Sequence, residues 1–357
     1  MTLTVLTDDQ IRSLLENLTL PELAGFQDAL ASALHEYSTT RQDETTSVHQ
    51  PERISVHSAA TGATTLFMPS CNSTGNGIKV ITLTSPTSTT TTTTPPASLP
   101  PIRPTGTLTL LTPQGTPLGF LSASTLTAFR TALASLALVQ RRHPAPPGTL
   151  TLVVFGCGEQ AYWHARLVLL TRGAAVKRVV FVNRRASDSL KGVVQRFVTG
   201  LEEVVKEREG WAGCVFEGLV RGEEEEEKKV EGALREADVV VCCTPSTEEL
   251  FDAGGLVRRA VEGRGRGRRA WVVDTIEGAL TEAGELIEAG VREEQMVELG
   301  ELLGKEASAR KDKLEHWLQT GNVIYKSVGL GLMDLSIGMH VIEFAKEKGV
   351  GTHVQGF

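Results

Sequence analysis

The sequence lacks an excess of basic residues: its 357 residues include 36 Lys and Arg against 43 Asp and Glu, a formal net charge of −7 with histidine neutral. Proteins that bind nucleic acids usually carry a basic excess, because neutralising phosphates supplies much of their affinity. Long apolar runs are missing as well, since no stretch of the sequence approaches the roughly 20 apolar residues of a membrane helix. Residues 1–12 are polar, unlike the apolar core of a signal peptide. We therefore expect no nucleic-acid or membrane partner and a cytoplasmic location.

Metal-binding patterns are also absent from the sequence. The 5 cysteines are an odd number in a long chain and none has the spacing of a metal finger, so we expect reduced thiols. The 8 histidines form neither an HExxH motif nor another paired metal-ligand spacing, so we predict no metal site. The composition, 41% hydrophobic and 22% charged, is typical of a globular protein, and the length suggests about two domains.

The N-terminal third of the sequence combines predicted helices with a predicted sheet. Apolar residues recur at helical spacing in residues 11–15 and 21–37. Short segments broken by Gly and Pro then predict an antiparallel sheet, with strands at 54–57, 64–68, 78–83, 106–111 and 118–121. Residues 84–104 are dominated by Thr, Ser and Pro, and such a stretch buries too little apolar surface to offset the entropy of ordering it. We predict that this stretch is a loop inserted in the sheet.

A different pattern begins after a predicted helix at 124–142, which ends at a cluster of prolines. Residues 150–155 form a continuous apolar strand, typical of a parallel sheet covered on both faces. A glycine-rich turn, a helix and a second apolar strand at 178–183 follow, and this order predicts a βαβ unit. Apolar segments at 237–243 and 269–274 are further strand candidates, which suggests that a doubly wound sheet continues.

The glycine-rich turn has the spacing of a dinucleotide-binding motif. Gly156 permits the tight turn, Gly158 lets the main chain approach a pyrophosphate, and Ala161 is small where the helix meets the sheet. Amide groups at the start of the helix would bind the phosphates. With Glu159 and Gln160 between them, these residues are our candidates for the cofactor-binding turn. A tight turn without a ligand is the alternative.

The end of the second strand of this unit lacks the carboxylate that binds the ribose 2′-OH of NAD. The sequence has Asn183, Arg184 and Arg185 there. A guanidinium favours a 2′-phosphate through charge-assisted bidentate contacts, so we predict NADPH as the cofactor, with NADH as the second choice. The alternative is that both arginines are only surface residues.

Further motifs occur in order along nearly the whole chain. They include Pro-Glu-Arg at 51–53, Phe-Met-Pro at 67–69, Gly-Ile-Lys-Val at 77–80, Pro-Thr-Gly at 104–106, Leu-Thr-Ala-Phe-Arg-Thr-Ala at 126–132, the turn at 156–161, Ala-Asp at 237–238, Thr-Pro-Ser at 244–246, Val-Asp at 273–274, Glu-Ala-Gly-Glu at 282–285, and 325–334. Together these motifs resemble the ornithine cyclodeaminase and mu-crystallin family. Their common order makes a chance match improbable.

The resemblance implies a homodimeric α/β protein. It implies a Rossmann domain with a doubly wound parallel sheet at 131–320, and a discontinuous α+β substrate-binding and dimerisation domain formed by 1–130 and 321–357. Members of the family include ornithine cyclodeaminases, ketimine reductases and amino-acid dehydrogenases. Their reactions pass through an imine beside a carboxylate, with hydride moving to or from nicotinamide.

The resemblance also implies roles for three basic residues. Arg53 and Arg130 are expected to bind the carboxylate of an α-imino acid, and Lys79 is expected to lie beside the imine nitrogen. The chemistry agrees, because a planar guanidinium suits a carboxylate and a lysine can relay a proton when burial lowers its pKa. Without the resemblance, each of the three would more often be a surface cation.

One departure from the family pattern narrows the expected reaction. Cyclodeaminases have an aspartate that assists attack on the imine, whereas this sequence has Thr244, Pro245 and Ser246 in that segment, with Ser246 in the position of the aspartate. A serine hydroxyl is not a carboxylate base near neutral pH. We therefore expect an NADPH-dependent reductase of a small α-imino acid, with these three residues near the cofactor. The alternatives are an ornithine cyclodeaminase with bound NAD and a non-enzymatic NADPH-dependent binding protein of the crystallin type.

Overall fold

A computed structural model of the protein describes residues 2–40, 48–84, 104–142, 145–246, 249–251, 271–304 and 309–357, without the side chains of 309–313 and 320. The stretch predicted as an inserted loop, 84–104, lies outside these residues except for its two ends. The described residues divide into two compact units. The first contains the described parts of Met1–Arg130, Ala270–Glu306 and Tyr325–Phe357, and the second contains those of Thr131–Arg269 and Ala307–Ile324.

Helices and strands follow one another along the described residues. The helices are α1 (Asp8–Glu16), α2 (Leu20–Thr39), α3 (Ser124–Arg141), α4 (Glu159–Arg172), α5 (Asp188–Val198), α6 (Glu203–Glu209), α7 (Glu224–Glu236), α8 (Ile276–Glu282), α9 (Gly284–Glu288), α10 (Leu299–Leu303), α11 (Ala309–Thr320) and α12 (Gly331–Glu347). The strands are β1 (Thr2–Leu6), β2 (Ile54–His57), β3 (Ala63–Asn72), β4 (Gly75–Thr84), β5 (Thr105–Leu111), β6 (Pro117–Ser122), β7 (Leu150–Phe155), β8 (Val176–Asn183), β9 (Val215–Val220), β10 (Val239–Cys242), β11 (Trp271–Val273), β12 (Met296–Glu298), β13 (Ile324–Lys326) and β14 (Thr352–Gln355). Within the described ranges, none of the helices has the length and apolar character needed to span a bilayer.

A seven-stranded sheet is the centre of the first unit, with the strand order β14-β1-β6-β5-β4-β3-β2. Neighbouring strands are antiparallel except for β1 and β6, which are parallel. The helix α12 lies against β3, β4 and β5. It approaches so closely that a Cβ on Gly338 would lie 2.5 Å from Cδ2 of Leu108. The predicted antiparallel sheet is therefore confirmed, and the two predicted N-terminal helices are present as α1 and α2.

A four-stranded parallel sheet is the centre of the second unit, with the strand order β10-β7-β8-β9. The chain runs from β7 through α4 to β8, so the predicted βαβ unit is confirmed. Every residue of β7 is buried, as expected for a central strand of a parallel sheet. Because β8 and β9 lie on one side of β7 and β10 lies on the other, the winding of the sheet reverses at β7. Ligands of doubly wound sheets bind at the carboxyl ends of the strands at such a reversal.

The predicted strand at 269–274 does not extend this parallel sheet. Its described part, β11, pairs in parallel with β12, in a small sheet of the first unit with the order β12-β11-β13. Val273 packs with residues of α8, α9 and β12 in a hydrophobic cluster of its own, and this packing explains why the strand leaves the Rossmann sheet. The described residues 271–304, which lie within the predicted Rossmann domain at 131–320, group with the first unit.

A buried ion pair connects α6 to α4 in the second unit. Nη1 and Nη2 of Arg166 donate to Oε2 and Oε1 of Glu209 at 2.7 and 2.8 Å, and both side chains are buried. The indole Nε1 of Trp211 donates to Oε2 of Glu209 at 2.8 Å. The carboxylate of Glu209 therefore neutralises the buried charge of Arg166 and accepts a hydrogen bond from the buried indole of Trp211.

We expect Glu209→Ala to lower the free energy of unfolding by about 3–5 kcal/mol, because the charge of Arg166 would stay buried without its partner. Urea unfolding followed by circular dichroism measures the change. Glu207→Ala is the control, since Glu207 is exposed on the same helix, and we expect its effect to stay within about 0.5 kcal/mol. Equal effects of the two substitutions would contradict a stabilising role for the ion pair.

Candidate active site

The turn between β7 and α4 leaves room for a ligand beside its main chain. Gly156 has a φ of +114°, and a Cβ there would lie 2.9 Å from the carbonyl oxygen of Cys243. Gly158 is the N-cap of α4, and a Cβ at this position would meet no described atom within 4 Å. Ala161 is fully buried in the first turns of the helix. The backbone conformation thus requires glycine at position 156. At position 158, glycine leaves open space beside the main chain because it has no side chain.

Two buried oxygen atoms near this turn have no hydrogen-bond partner among the described residues, namely Oε1 of Gln160 and Oγ1 of Thr244. Gln160 lies in the first turn of α4, and Thr244 follows β10, whose end lies beside the end of β7. Leaving a buried polar atom unpaired is costly, so such atoms are often completed by a bound polar group. With the open space at Gly158 and the amide groups that begin α4, this set fits the phosphates and ribose of a dinucleotide.

Residues at the carboxyl ends of β8 and β10 lie at the same edge of the sheet as the turn after β7. Nδ2 of Asn183 donates to the carbonyl oxygen of Arg185 at 2.9 Å, which shapes the turn after β8. The side chains of Arg184 and Arg185 are exposed, and so are Pro245 and Ser246 after β10. Exposed guanidinium groups at the end of the second strand suit a 2′-phosphate.

Glu159 is bound to the protein instead of facing the turn as a free carboxylate. Nη1 of Arg196 lies 2.8 Å from Oε1 of Glu159, and the guanidinium carbon of Arg196 lies 3.3 Å from the ring centroid of Tyr162. The positive partner offsets a negative charge that would otherwise repel a phosphate at the start of α4. The side chain of Glu159 therefore supports the turn through Arg196.

A fully buried carboxylate lies at the centre of the predicted catalytic residues in the first unit. Oδ2 of Asp334, in α12, lies 2.6 Å from Nζ of Lys79, in β4. Oδ1 of Asp334 accepts a hydrogen bond from Nε of Arg130, in α3, at 3.2 Å. Asp334 is 0% exposed, Lys79 is 3% exposed and Arg130 is 4% exposed. The structure thus brings two of the three predicted cations together on one carboxylate.

Burial and charge together set the protonation of this cluster. Burial lowers the pKa of Lys79 from 10.5 to about 8, with Asp334 opposing the shift and Arg130 adding to it. Burial raises the pKa of Asp334, but the positive charges of Arg130 and Lys79 outweigh it and hold this pKa below its ordinary value. The cluster at neutral pH therefore contains two cations and one anion, with one positive charge in excess.

Arg53, the third predicted cation, contacts different groups in the same unit. Its Nη2 lies 2.8 Å from Oε2 of Glu282 and donates to the carbonyl oxygen of Val328 at 3.3 Å. Its positive charge also lowers the pKa of Lys79, so the two cations are electrostatic neighbours. Arg53 is therefore near the buried cluster but is paired with a carboxylate of its own.

A second buried carboxylate binds the loop at Val328 and Gly329, which lies against the side chains of Arg53 and Arg130. Asp274, 0% exposed, accepts hydrogen bonds from the main-chain nitrogens of Val328 and Gly329 at 3.1 and 2.8 Å. Gly329 has a φ of +87°, and a Cβ there would lie 3.1 Å from Nη2 of Arg130. The carbonyl oxygen of Val328 accepts from Arg53, so Asp274 positions the loop against both guanidinium groups.

Three acidic residues of this region, Asp334, Glu282 and Asp274, were not assigned a role from the sequence. A signal for Asp334 is visible, because it is the only acidic residue in the apolar stretch 330–342. A carboxylate in such a stretch is expected to be buried, and a buried carboxylate needs partners. The sequence gives no comparable signal for Glu282, since glutamates also occur shortly before and after it.

A cysteine and a histidine lie close together in the second unit but do not form a nucleophilic pair. Sγ of Cys243 lies 3.8 Å from Nδ1 of His164. Burial raises the pKa of Cys243 to about 12 and lowers the pKa of His164 to about 4, so both side chains are neutral near pH 7. In the part of the chain that the structure describes, no group of three or more His, Cys, Asp or Glu is placed to hold a metal ion.

The parallel sheet of the second unit and its glycine turn are those of a Rossmann fold, and the chain is similar in fold to a solved archaeal alanine dehydrogenase dimer with bound NAD, with a TM-score of 0.64 and 19% identity over 100% of both chains. The chain belongs to the Ornithine cyclodeaminase/mu-crystallin family, which matches residues 18–349, so the resemblance noted in the sequence is confirmed.

Among its relatives is the Delta(1)-pyrroline-2-carboxylate reductase of Bacillus cereus, 26% identical over 261 residues that cover 68% of this chain and 71% of the relative. The ketimine reductase mu-crystallin of Mus musculus is 24% identical over 236 residues, 62% of this chain and 63% of the relative. The solved structure of Thermococcus litoralis Delta(1)-pyrroline-2-carboxylate reductase, in complex with NADH and L-proline, is similar in fold, with a TM-score of 0.66 and 19% identity over 98% of this chain and 100% of that one.

We expect Gly158→Ala to weaken dinucleotide binding at least about tenfold, a loss of roughly 1.4 kcal/mol, because its methyl group would fill the space open to a pyrophosphate. Its unfolding free energy should stay within about 0.5 kcal/mol of the wild type, since the added Cβ meets no described atom. Fluorescence titration with NADPH and urea unfolding measure the two quantities.

The matched control is Gly156→Ala, which should lower stability by about 1–2 kcal/mol because of the positive φ at this position. Wild-type affinity for both NADPH and NADH in Gly158→Ala would show that the dinucleotide does not approach this turn.

Proposed function

We propose that this protein reduces a small α-imino acid, either a cyclic ketimine carboxylate or the imine of a 2-oxo acid with an amine, using hydride from NADPH. The observation that supports this most directly is the buried cluster of Lys79, Asp334 and Arg130, which has one positive charge in excess. A ligand with one carboxylate compensates that charge, and a buried lysine of lowered pKa is a suitable proton donor.

Each side chain has a distinct role in this proposal. Arg130 and Arg53 bind and orient the substrate carboxylate, and the protonated amine of Lys79 gives its proton to the imine nitrogen. The nicotinamide supplies the hydride that is added to the imine carbon. Addition of one hydride and one proton converts the C=N bond to CH–NH, and Lys79 then recovers a proton from solvent. Asp334 holds Lys79 in place and favours its protonated form.

The relatives support the same substrate class. Two of them are named as reductases of Delta(1)-pyrroline-2-carboxylate and of ketimines, which are imines. Cyclodeamination of ornithine is the weaker candidate, because the exposed residue at the end of the segment after β10 is Ser246 and not a carboxylate.

We further propose that the protein acts as a homodimer. Large apolar side chains are exposed on strands of the seven-stranded sheet, with Ile54 and Val56 on its edge strand β2 and Phe120 on β6. Large apolar side chains that are exposed on a sheet, such as the neighbouring pair on β2, are typical of association surfaces.

For the cofactor, we expect Arg184→Ala to weaken NADPH binding about tenfold or more and to leave NADH binding nearly unchanged. Loss of a charge-assisted contact to a 2′-phosphate costs roughly 1.5–3 kcal/mol, and NADH has no such phosphate. Isothermal titration with each cofactor measures the effect. Lys177→Ala is the control, since Lys177 is an exposed cation near the opposite end of β8. An equal loss of affinity for NADPH and NADH in Arg184→Ala would contradict the assignment.

For the reaction, we expect the purified protein to oxidise NADPH when Delta(1)-pyrroline-2-carboxylate is added, and to release no ammonia from ornithine. The rate should fall as the pH rises through about 8, because Lys79 loses the proton that it donates. Lys79→Met, which keeps the length of the side chain, should abolish the reduction, whereas Ser246→Ala should lower it far less.

Absorbance at the nicotinamide band and an ammonia assay distinguish the candidate reactions. Ammonia release from ornithine without net cofactor consumption would replace the reductase assignment by the cyclodeaminase one. Tight NADPH binding without turnover of Delta(1)-pyrroline-2-carboxylate or of other cyclic imino acids would instead favour a binding protein.

A further inference from the structure

The two carboxylates that pair with the predicted substrate-binding cations differ in their exposure to solvent. Asp334 is completely buried, and it binds Lys79 and Arg130. Glu282, at the end of α8, pairs with Arg53 at 2.8 Å, but its side chain is 42% exposed and that of Arg53 is 26% exposed. The proposed site therefore has an inner carboxylate closed off from water and an outer carboxylate open to it.

This difference decides which carboxylate a ligand can replace. An ion pair exposed to this degree contributes little to stability, so a ligand carboxylate can take the place of Glu282 on Arg53 at little cost. Separating Asp334 from its cations would leave buried charges without partners, which costs several kcal/mol. A ligand carboxylate therefore displaces Glu282 from Arg53, and Glu282, held at the end of α8, stays near the bound ligand as an unpaired negative charge.

The charges of the whole region show what this neighbour does. Its cations are Lys79, Arg130 and Arg53, the carboxylates that form ion pairs with them are Asp334 and Glu282, and a third carboxylate, Asp274, accepts hydrogen bonds from the main chain of Val328 and Gly329. The three cations and the three carboxylates balance when Glu282 is counted, and one positive charge is left in excess when it is not. Like charges a few ångströms apart in a partly buried site repel strongly enough to change affinity.

We infer that Glu282 is a specificity-determining residue, which restricts the site to ligands with a single carboxylate and disfavours dicarboxylates. The inference rests on the proposed function, since it takes the α-imino carboxylate as the ligand class. A substrate with one carboxylate binds the guanidinium groups and takes the place of Glu282 on Arg53. A second carboxylate on the ligand would be repelled by Glu282. The charges of the region leave no excess cation to pair with that second carboxylate.

The test compares two planar ligands that differ by one carboxylate, pyrrole-2-carboxylate and pyrrole-2,5-dicarboxylate. Their dissociation constants are measured by isothermal titration on the full chain with NADPH present, for the wild type, Glu282→Gln and Glu285→Gln. The control Glu285→Gln removes the same charge from the next helix, where Glu285 pairs with Lys326 at 2.6 Å and not with Arg53. Glutamine at position 282 keeps the size of the side chain and removes only its charge.

We expect the wild type to bind the monocarboxylate more tightly than the dicarboxylate. Glu282→Gln should shift the ratio of the two dissociation constants about tenfold or more toward the dicarboxylate, and Glu285→Gln should leave the ratio within about twofold. The shift should shrink in 1 M NaCl, where the screening length falls from about 10 Å to about 3 Å. This salt dependence would not follow from a change in packing alone.

Two results would overturn the inference, and they differ from each other. If Glu282→Gln weakens both ligands equally and leaves their ratio unchanged, Glu282 only holds Arg53 in place. If neither ligand binds the wild type although NADPH binds, the α-carboxylate ligand class is wrong, and the proposed function falls together with the inference.

Discussion

The carboxylate of Asp334 is the contact on which the arrangement of the first unit depends. It is shared by a lysine from a strand and an arginine from a helix, and its own helix covers three strands of the sheet. Three elements that are distant in the sequence are therefore joined by one buried charge. Because an uncompensated charge at this depth is costly, none of the three side chains can move away independently. The same constraint that stabilises the packing also holds Lys79 and Arg130 at fixed positions for the proposed chemistry.

The second unit obtains its site in a different way. Its polar groups come from the ends of three adjacent parallel strands and from the start of one helix, so the sheet itself collects them at one edge. Among the residues that the structure describes at this edge, Glu159 and Arg196 form an ion pair. Main-chain geometry at two glycines provides the open space, and unpaired oxygen atoms provide the polar character. The candidate site of the first unit thus consists of buried charged side chains. The candidate site of the second unit consists mainly of main-chain groups.

The parts of the structure that follow from local patterns were predictable from the sequence. The continuous apolar run of β7, the glycine turn and the helix after it have strong signals within some 20 residues, and they occur in the structure in the predicted order. The family resemblance named Lys79 and Arg130 together, although neither is distinctive alone, and in the structure both bind Asp334, while their roles stay predictions. What local patterns could not give was pairing across the chain: Lys79 meets a carboxylate 255 positions away, and no spacing rule connects them.

The strand at 271–273 shows a second limit of sequence patterns. Its apolar run has the same character as the strands of the Rossmann sheet, but a run of three residues does not say which partner strand it joins. The choice is made by packing, since the helices after β11 form a hydrophobic cluster with it and with β12. Likewise, the pairing of Arg53 with Glu282 could not be read from charge patterning, because glutamates are frequent throughout this region.

The hairpin of β4 and β5 has a consequence for how this family can diversify. Thr82 lies opposite Thr105, so the chain leaves the sheet and returns to it at neighbouring points, whatever the number of residues between. The entropy of closing such a connection grows slowly, by about 0.6 kcal/mol for each doubling of its length. Lys79 lies within β4, before this connection begins, and its ion pair with Asp334 holds it there. Residues can therefore be gained or lost between β4 and β5 over evolutionary time without changing the position of Lys79, the proposed proton donor.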